Sequence, residues 1–483
     1  MKNSNIQQRA FSGVLWKFVE KIGTQLIQFI IQIVLARMLM PEDYGIVGLL
    51  TIFITISDVF IQQGFTTALI QKKDVDEVDF SSVYFANIIM AVIIYIVLFA
   101  TAPLVSIFYN EANLTMIMRV MSINVIFGSI CAVHNAIMAK NLDFKKSFFR
   151  NLANIFTQGV VGITFAYMNF GVWALVFSKI FGTLVGAFVL CFTVKWKPKA
   201  VLSFKRVKSL FHYSSKLLGT NLLNTLFNNI HSLIIGRYFR KSELGYYQRG
   251  QQIPQAFMTA IDGSLNEVLY PTLSIMQDDK KRLKSALQRS MKTSMFITLP
   301  ILMGVLSMAE PLTIILLTEK WLPSVPFMQL TCIICSFWPL SARSHALNAI
   351  GRSDVTFKLS IIAKGLTLFF IIICIKFGVY AIMLGTLCAS FITVWITSYY
   401  VNKYINYSIK ELIVDLAPSV ILSIIMLITV MLIGRVKLFI YLKLIIQIIT
   451  AIIIYVGGAR LFKVDSYLYL SSIIKKRIIK KGT

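Results

Sequence analysis

The stretch Lys17-Phe-Val-Glu-Lys-Ile-Gly-Thr-Gln-Leu-Ile-Gln-Phe-Ile-Ile-Gln32 decides how this chain is read. At 100° per residue, Lys17, Lys21, Thr24, Gln25, Gln28 and Gln32 fall within an arc of roughly 100° on a helix. Phe18, Val19, Ile22, Leu26, Ile27, Phe29, Ile30 and Val34 are apolar. The polar stripe runs roughly 22 Å, most of the way across a hydrocarbon core of ~30 Å. Glutamines and a threonine alone fit interhelical hydrogen bonding. Two lysines ask for more, because each needs an anion or water. Such residues face a bundle interior or a wet cavity. The stretch therefore predicts a polar, basic pathway through a helical bundle.

The surrounding chain fits that setting. Its 483 residues are 57% hydrophobic and 14% charged, the balance of a polytopic membrane protein. Apolar stretches predict an all-α fold of about fourteen spans. They cover 11–36, 44–64, 81–103, 116–138, 148–168, 171–194, 211–236, 246–272, 292–317, 325–350, 357–376, 378–402, 413–434 and 439–461. Pro41 with Gly45, Asn169 with Gly171, Pro198, Pro323 with Pro326, and Gly351 punctuate them.

A net charge of +27 first suggests nucleic acid, but here the surplus reads as the positive-inside signature of cytoplasmic loops. With the N-terminus cytoplasmic, 31 of the 48 Lys and Arg lie in cytoplasmic segments, 10 in external ones and 7 inside spans. Both termini are therefore placed in the cytoplasm. The external loop with Arg237, Arg240, Lys241 and Arg249 breaks the rule, and a role at a cavity mouth is its one sequence-level account. Lys475-Lys-Arg477 and Lys480-Lys481 are expected to lie on the anionic inner leaflet. No cleavable signal is evident. The six cysteines, including Cys332-x-x-Cys335, sit in apolar runs and read as packing residues.

The chain repeats. Arg37-Met-Leu-Met-Pro-Glu-Asp-Tyr-Gly45 has the spacing of Arg237-Tyr-Phe-Arg-Lys-Ser-Glu-Leu-Gly245. Gly23-Thr24 is echoed by Gly219-Thr220, and Phe170-Gly-Val-Trp-Ala174 by Phe377-Gly-Val-Tyr-Ala381. These matches predict a six-helix lobe over 1–200, a second over 201–404, and two extra helices with a basic tail over 405–483. Six spans per half make the repeats parallel, around an axis along the membrane normal. Span 7 repeats the opening stripe with Lys216, Thr220, Asn224, Asn228 and His231. The two stripes are expected to face each other across the central axis, where repeat-built transporters bind substrate.

Substrate-binding candidates are thus Lys17, Lys21, Gln25, Gln28, Gln32, Lys216, Asn224, Asn228 and His231, joined by Lys179 and Lys364, which lie too deep in their spans to snorkel. His134 and His345 occupy similar positions in the two halves and are further candidates for the cavity wall. Glu20, Asp58 and Glu267 are candidates for proton or sodium coupling. More cations than anions suit an anionic substrate, with phosphate a strong candidate. No P-loop, HExxH, GxSxG or GxGxxG appears, and no loop has room for a catalytic domain. We therefore expect no catalytic residue, no metal and no cofactor beyond an ion gradient.

A set of motifs then points to a family. Ser12-Gly-Val-Leu-Trp16, Val34-Leu-Ala-Arg37 through Tyr44-Gly45, Ala68-Leu-Ile-Gln-Lys-Lys73, Asn141-Leu-Asp-Phe144, Tyr270-Pro271, Gln277-Asp-Asp279 with Arg282-Leu283, Glu319-Lys-Trp321 and Gly351-Arg-Ser-Asp354 occur in order over three quarters of the chain. In these the chain resembles the bacterial oligosaccharide flippases of the polysaccharide transport family. That family lies within the multidrug/oligosaccharidyl-lipid/polysaccharide exporter superfamily, and the chain looks most like the colanic-acid and teichuronic-acid exporter branch. The resemblance implies two six-helix lobes around a cationic V-shaped cavity. It implies movement of an undecaprenyl-diphosphate-linked oligosaccharide from the inner to the outer leaflet of the plasma membrane. In lipid II flippases of the superfamily two C-terminal helices form a groove for the lipid tail, and spans 13 and 14 match them by position.

The expected mechanism is alternating access, with Lys17, Lys21 and Lys216 on the diphosphate and amides and aromatic rings on sugar. Lipid-linked oligosaccharide, membrane lipids and polysaccharide polymerase or assembly proteins are the expected partners, nucleic acid is not, and a monomer is the working expectation. The alternatives are a multidrug/cation antiporter of the superfamily, which would need an acidic cavity, and a non-enzymatic subunit of a polysaccharide assembly complex, which would have little use for two polar stripes. An integral-membrane glycosyltransferase would need catalytic acidic residues in a large loop.

Overall fold

The computed structural model describes residue 21 and residues 23–479 except 73 and 142. For 63, 64, 144, 212, 213, 216, 262–268, 270–272 and 473–479 only the backbone is described. The described residues form helices joined by short loops, with no strand among them. Ten helices among them are long and apolar enough to cross a membrane, and 23–38 forms a shorter apolar helix, α1. The protein is a multi-pass, all-α membrane protein. Two compact units divide it, Met1–Gly245 and Tyr246–Thr483.

The first unit continues from α1 with α2 (Pro41–Gly64), α3 (Thr66–Gln71), α4 (Glu77–Tyr109), α5 (Leu114–Met121), α6 (Ile123–Lys140), α7 (Phe144–Tyr167), α8 (Val172–Thr193), α9 (Phe204–Asn228) and α10 (Ile230–Tyr238). Local sequence sets their ends. Pro41 opens α2, where the lost N–H has no helical partner anyway. Asp43 reaches back to accept the Met40 N–H at 2.9 Å. Asp76 accepts the Asp79 N–H at 2.8 Å to start α4. Asn110 ends α4 in the left-handed region, which asparagine tolerates well. The turn foreseen at Asn169 and Gly171 is present, with φ of 62° and 55°.

Small residues set the packing. Ser178, Gly182 and Gly186 recur every four residues on α8 and let the α7 backbone approach; Ser178 Oγ donates to the Gln158 carbonyl at 2.7 Å. On its other side α7 receives α1, with Ile31 against Gly159 and Leu35 against Gly162.

α11 (Lys241–Ile275) begins at the end of the first unit and continues into the second. The second unit adds α12 (Lys280–Ser307), α13 (Ala309–Leu317), α14 (Val325–Cys335), α15 (Ala342–Ala349), α16 (Ser353–Cys374), α17 (Val379–Ile405), α18 (Ile409–Gly434), α19 (Ile440–Leu461) and α20 (Asp465–Ile479). The extra pair α18 and α19 is built into this unit. Tyr455 Oη donates to the Phe296 carbonyl of α12 at 2.9 Å, and Gln447 Nε2 to the Val430 carbonyl at 3.2 Å. Lys284 of α12 bonds Glu411 at 2.7 Å and Lys292 bonds Asp415 at 2.9 Å.

Each expected span has a helical counterpart among the described residues, the first from residue 23 on, but four are interrupted, with 116–138 breaking at Ser122 and 325–350 at 336–341. The span read as 211–236 breaks at Asn229, whose side-chain amide donates to the Thr225 carbonyl at 2.8 Å and competes with the helix ladder. The span read as 292–317 breaks at Met308. Helices α11 and α12 also start well before the apolar residues, because polar first turns extend a helix beyond the bilayer at little cost.

Candidate functional site

Helix α1 shows what its sequence can present. Gly23, Ile31 and Leu35 lie against α7. Lys21 and Gln25 are exposed, while Gln28 and Gln32 are partly covered. On a helical wheel Leu26 and Ile30 point roughly 140° away from the Lys21 and Gln25 pair and are also exposed, at 58% and 60%. One face thus packs, one is apolar and bare, and one is polar and bare. Lys17 and Glu20 lie outside the described residues.

Helix α9 repeats the arrangement in part. Thr220, Asn224 and Asn228 form an exposed row one turn apart. Exposed Leu217 and Leu223 flank it, so this face offers amides and apolar surface together. His231 follows on α10, partly covered. The side chains of Lys216 and Glu267 lie outside the described residues. Lys364, on α16 in the second unit, is partly covered.

Two candidates from separate expectations come together. Asp58 of α2 and Lys179 of α8 lie within electrostatic reach of each other inside the first unit. The Asp58 Oδ1 lies 3.8 Å from where a Cβ on Gly128 would stand, so α6 closes on the carboxylate. Asn124, one turn before Gly128, buries an Oδ1 that has no hydrogen-bond partner among the described residues. An ammonium and a carboxylate inside a bundle each lower the other's cost of burial, and a proton or cation arriving there changes that balance.

His134 turns out to be buried, at 2% exposure. It packs edge-on against Tyr84 and Trp196, with Nδ1 2.9 Å from the Ile130 carbonyl. Arg343 of α15 is a second buried polar group. It is 3% exposed and bonds neutral acceptors, Ser398 Oγ at 2.6 Å and the Leu340 carbonyl at 3.1 Å. Cys332 and Cys335 are buried free thiols. Among the described residues no group of three His, Cys, Asp or Glu is placed to hold a metal ion.

Sequence reasoning missed a charged knot between 72 and 206. Asp79, with its side chain 1% exposed, accepts from Lys72 at 2.6 Å and from Arg206 at 3.1 Å. Arg206 also bonds Asp76 and holds that carboxyl below the usual carboxylate range. The signal was present as Lys72, Asp76 and Asp79 in one short stretch that runs into the first turn of α4, but the fourth member, Arg206, is 127 residues from Asp79.

Comparison with known proteins agrees with this architecture. Residues 34–326 match the family described as "Polysaccharide biosynthesis protein". The teichuronic acid biosynthesis protein TuaB of Bacillus subtilis strain 168 is 24% identical over 360 residues, 73% of this chain and 74% of that protein. The lipopolysaccharide biosynthesis protein WzxC of Escherichia coli strain K12 is 22% identical over 368 residues, 74% and 73% of the two chains. The fold is that of the lipid II flippase MurJ in an inward closed conformation, with TM-score 0.76, 17% identity and coverage of 94% of this chain and 99% of that one. An inward-facing MATE multidrug transporter of the MOP superfamily follows at TM-score 0.66 and 12% identity, covering 80% of this chain and 98% of that one.

Proposed function

The chain belongs to the polysaccharide biosynthesis protein family, and from that premise we propose that it is a flippase for an undecaprenyl-diphosphate-linked oligosaccharide, carrying it from the inner to the outer leaflet of a bacterial plasma membrane. Its relatives TuaB and WzxC are named for polysaccharide biosynthesis, and its fold is shared with a lipid II flippase and a multidrug transporter of the MOP superfamily. The finer reading rests on one observation, the bare polar face of α1 with Lys21 and Gln25 exposed and a bare apolar face roughly 140° around the same helix. A wet basic face receives a diphosphate and hydroxyls, while the polyprenyl chain stays in lipid. The mixed amide and leucine face of α9 suits the same amphiphile.

In this mechanism the lobes rock about a central cavity. Lys17, Lys21 and Lys216 hold the diphosphate as point charges that release it again, and Gln25, Gln28, Gln32, Asn224, Asn228 and His231 contact sugar. Lys179 and Lys364 add positive potential. A proton or sodium ion at Asp58, beside Lys179, or at Glu20 or Glu267 drives the reset to the inward state. No step needs a covalent intermediate. The test uses proteoliposomes carrying a lipid-linked oligosaccharide, with exposure of the glycan to an impermeant lectin as readout. Lys21→Ala and Lys216→Ala are each expected to cut that exposure at least several-fold. Unchanged rates in both variants would overturn the diphosphate assignment.

A further inference from the structure

The basic loop that broke the positive-inside pattern has a structural role. Arg237 donates to the Phe108 carbonyl at the end of α4 and stacks on the Phe108 ring, its Cζ 4.8 Å from the centroid. Lys241 pairs with Glu111 at 3.1 Å. Between them Gly236 sits against Leu49 and Tyr109.

The same corner holds a symmetric contact. A Cβ added at Gly45 would overlap the Lys241 carbonyl oxygen and lie 2.6 Å from its carbon. A Cβ added at Gly245 would overlap the Pro41 carbonyl oxygen, 2.9 Å from its carbon and 3.4 Å from the Gly45 nitrogen. The pairs 45 with 241 and 245 with 41 exchange under the 200-residue offset of the sequence repeat. This is the reciprocal contact that two repeats make at a two-fold axis. Only glycine allows the first turns of α2 and α11 to meet backbone on backbone.

We propose that the Gly45/Gly245 crossing, with the Arg237–Phe108 and Lys241–Glu111 contacts, is a releasable latch at the end of the bundle that the lysine and arginine distribution places outside. It keeps the first turns of α2 and α11 seated on each other in this conformation and parts in the course of the alternating-access cycle. Steric fit makes the closed crossing specific, and half-exposed charge pairs make it reversible, because water replaces such pairs at little cost. The proposal rests on the alternating-access reading above, but the latch can be read without any transported substrate.

Spin labels at Ala112→Cys and Arg240→Cys, both exposed neighbours of the Glu111–Lys241 pair, report the corner in nanodiscs by pulsed electron–electron resonance. With the exposed Cys191 and Cys388 replaced by serine, two distance populations are expected, the shorter matching this structure. Lys241→Glu, which sets two carboxylates face to face, is expected to deplete the shorter population several-fold. Adding Glu111→Lys restores the pair with its signs exchanged and is expected to restore the shorter population. A single short distance that persists in Lys241→Glu overturns the latch, as does failure of the exchanged pair to restore it while the protein elutes as one species. Because no glycan is present, either result leaves the lipid-linked substrate reading to its own assay.

Discussion

Where Asp76, Asp79 and Arg206 meet, the helices of the Met1–Gly245 unit are tied by charged side chains; where Pro41, Gly45, Lys241 and Gly245 meet, at the other end of α2, they touch through bare backbone. The first arrangement tolerates small displacements, because long side chains follow each other. The second is all or none, since a carbonyl either seats over a glycine or does not. A unit built this way holds its two ends by different rules. A change of state is then expected at the glycine end, and persistent contact at the charged end.

Substitution separates the two ends. The largest effect is expected at the glycines. Gly45→Ala forces a methyl group onto the Lys241 carbonyl, and overpacking of this kind costs about 1–3 kcal/mol. Gly219→Ala meets nothing within 4 Å, and is expected to be neutral or to stabilise α9 by about 0.5–1 kcal/mol. Thermal unfolding in detergent compares them, and equal midpoints would contradict the tight backbone contact at Gly45.

Asp79→Asn comes next. It removes a buried acceptor shared by Lys72 and Arg206. Both cations stay partly in water, so the loss is expected near the low end of about 1–3 kcal/mol. If Asp79→Asn costs more than Gly45→Ala, the charged end is the rigid one and the comparison reverses.

The smallest effect depends on pH. Arg206 depresses the Asp76 carboxyl, so this contact stabilises the folded state above the ordinary carboxylate value near 4 and is lost as pH falls through the depressed value. The unfolding midpoint of Arg206→Gln should lie below that of the unaltered protein at pH 6, with the gap closing toward pH 3. A gap that widens on acidification would contradict the assignment.

Much of this was legible in the sequence for identifiable reasons. In lipid a spanning segment of about 20 apolar residues satisfies its own backbone only as a helix, so apolar runs and their turn residues set the order of elements. The Arg37–Gly45 and Arg237–Gly245 match marked the corner where the repeats touch, though not that the glycines meet. The stripe on α1 was visible because polar residues in lipid are costly wherever they occur. Contacts between distant residues were not legible. Lys179 finds Asp58, and Arg206 finds Asp79, through packing that no local pattern encodes. The break at Asn229 depends on whether one amide turns back to the Thr225 carbonyl, a choice the helical context makes. The excess charge at Arg237 and Lys241 looked anomalous because counting lysines and arginines ignores their partners on α4 and at Glu111.

The central claim is that a bare basic face carries a lipid-linked diphosphate. Its most direct test follows lectin access to an undecaprenyl-diphosphate oligosaccharide in proteoliposomes, with and without a proton or sodium gradient, for the unaltered protein and for Lys21→Ala with Lys216→Ala. The account predicts protein-dependent exposure that falls to the protein-free level in the double variant. Exposure that persists in the double variant would contradict it, and efflux of a cationic dye without glycan exposure would favour a multidrug antiporter.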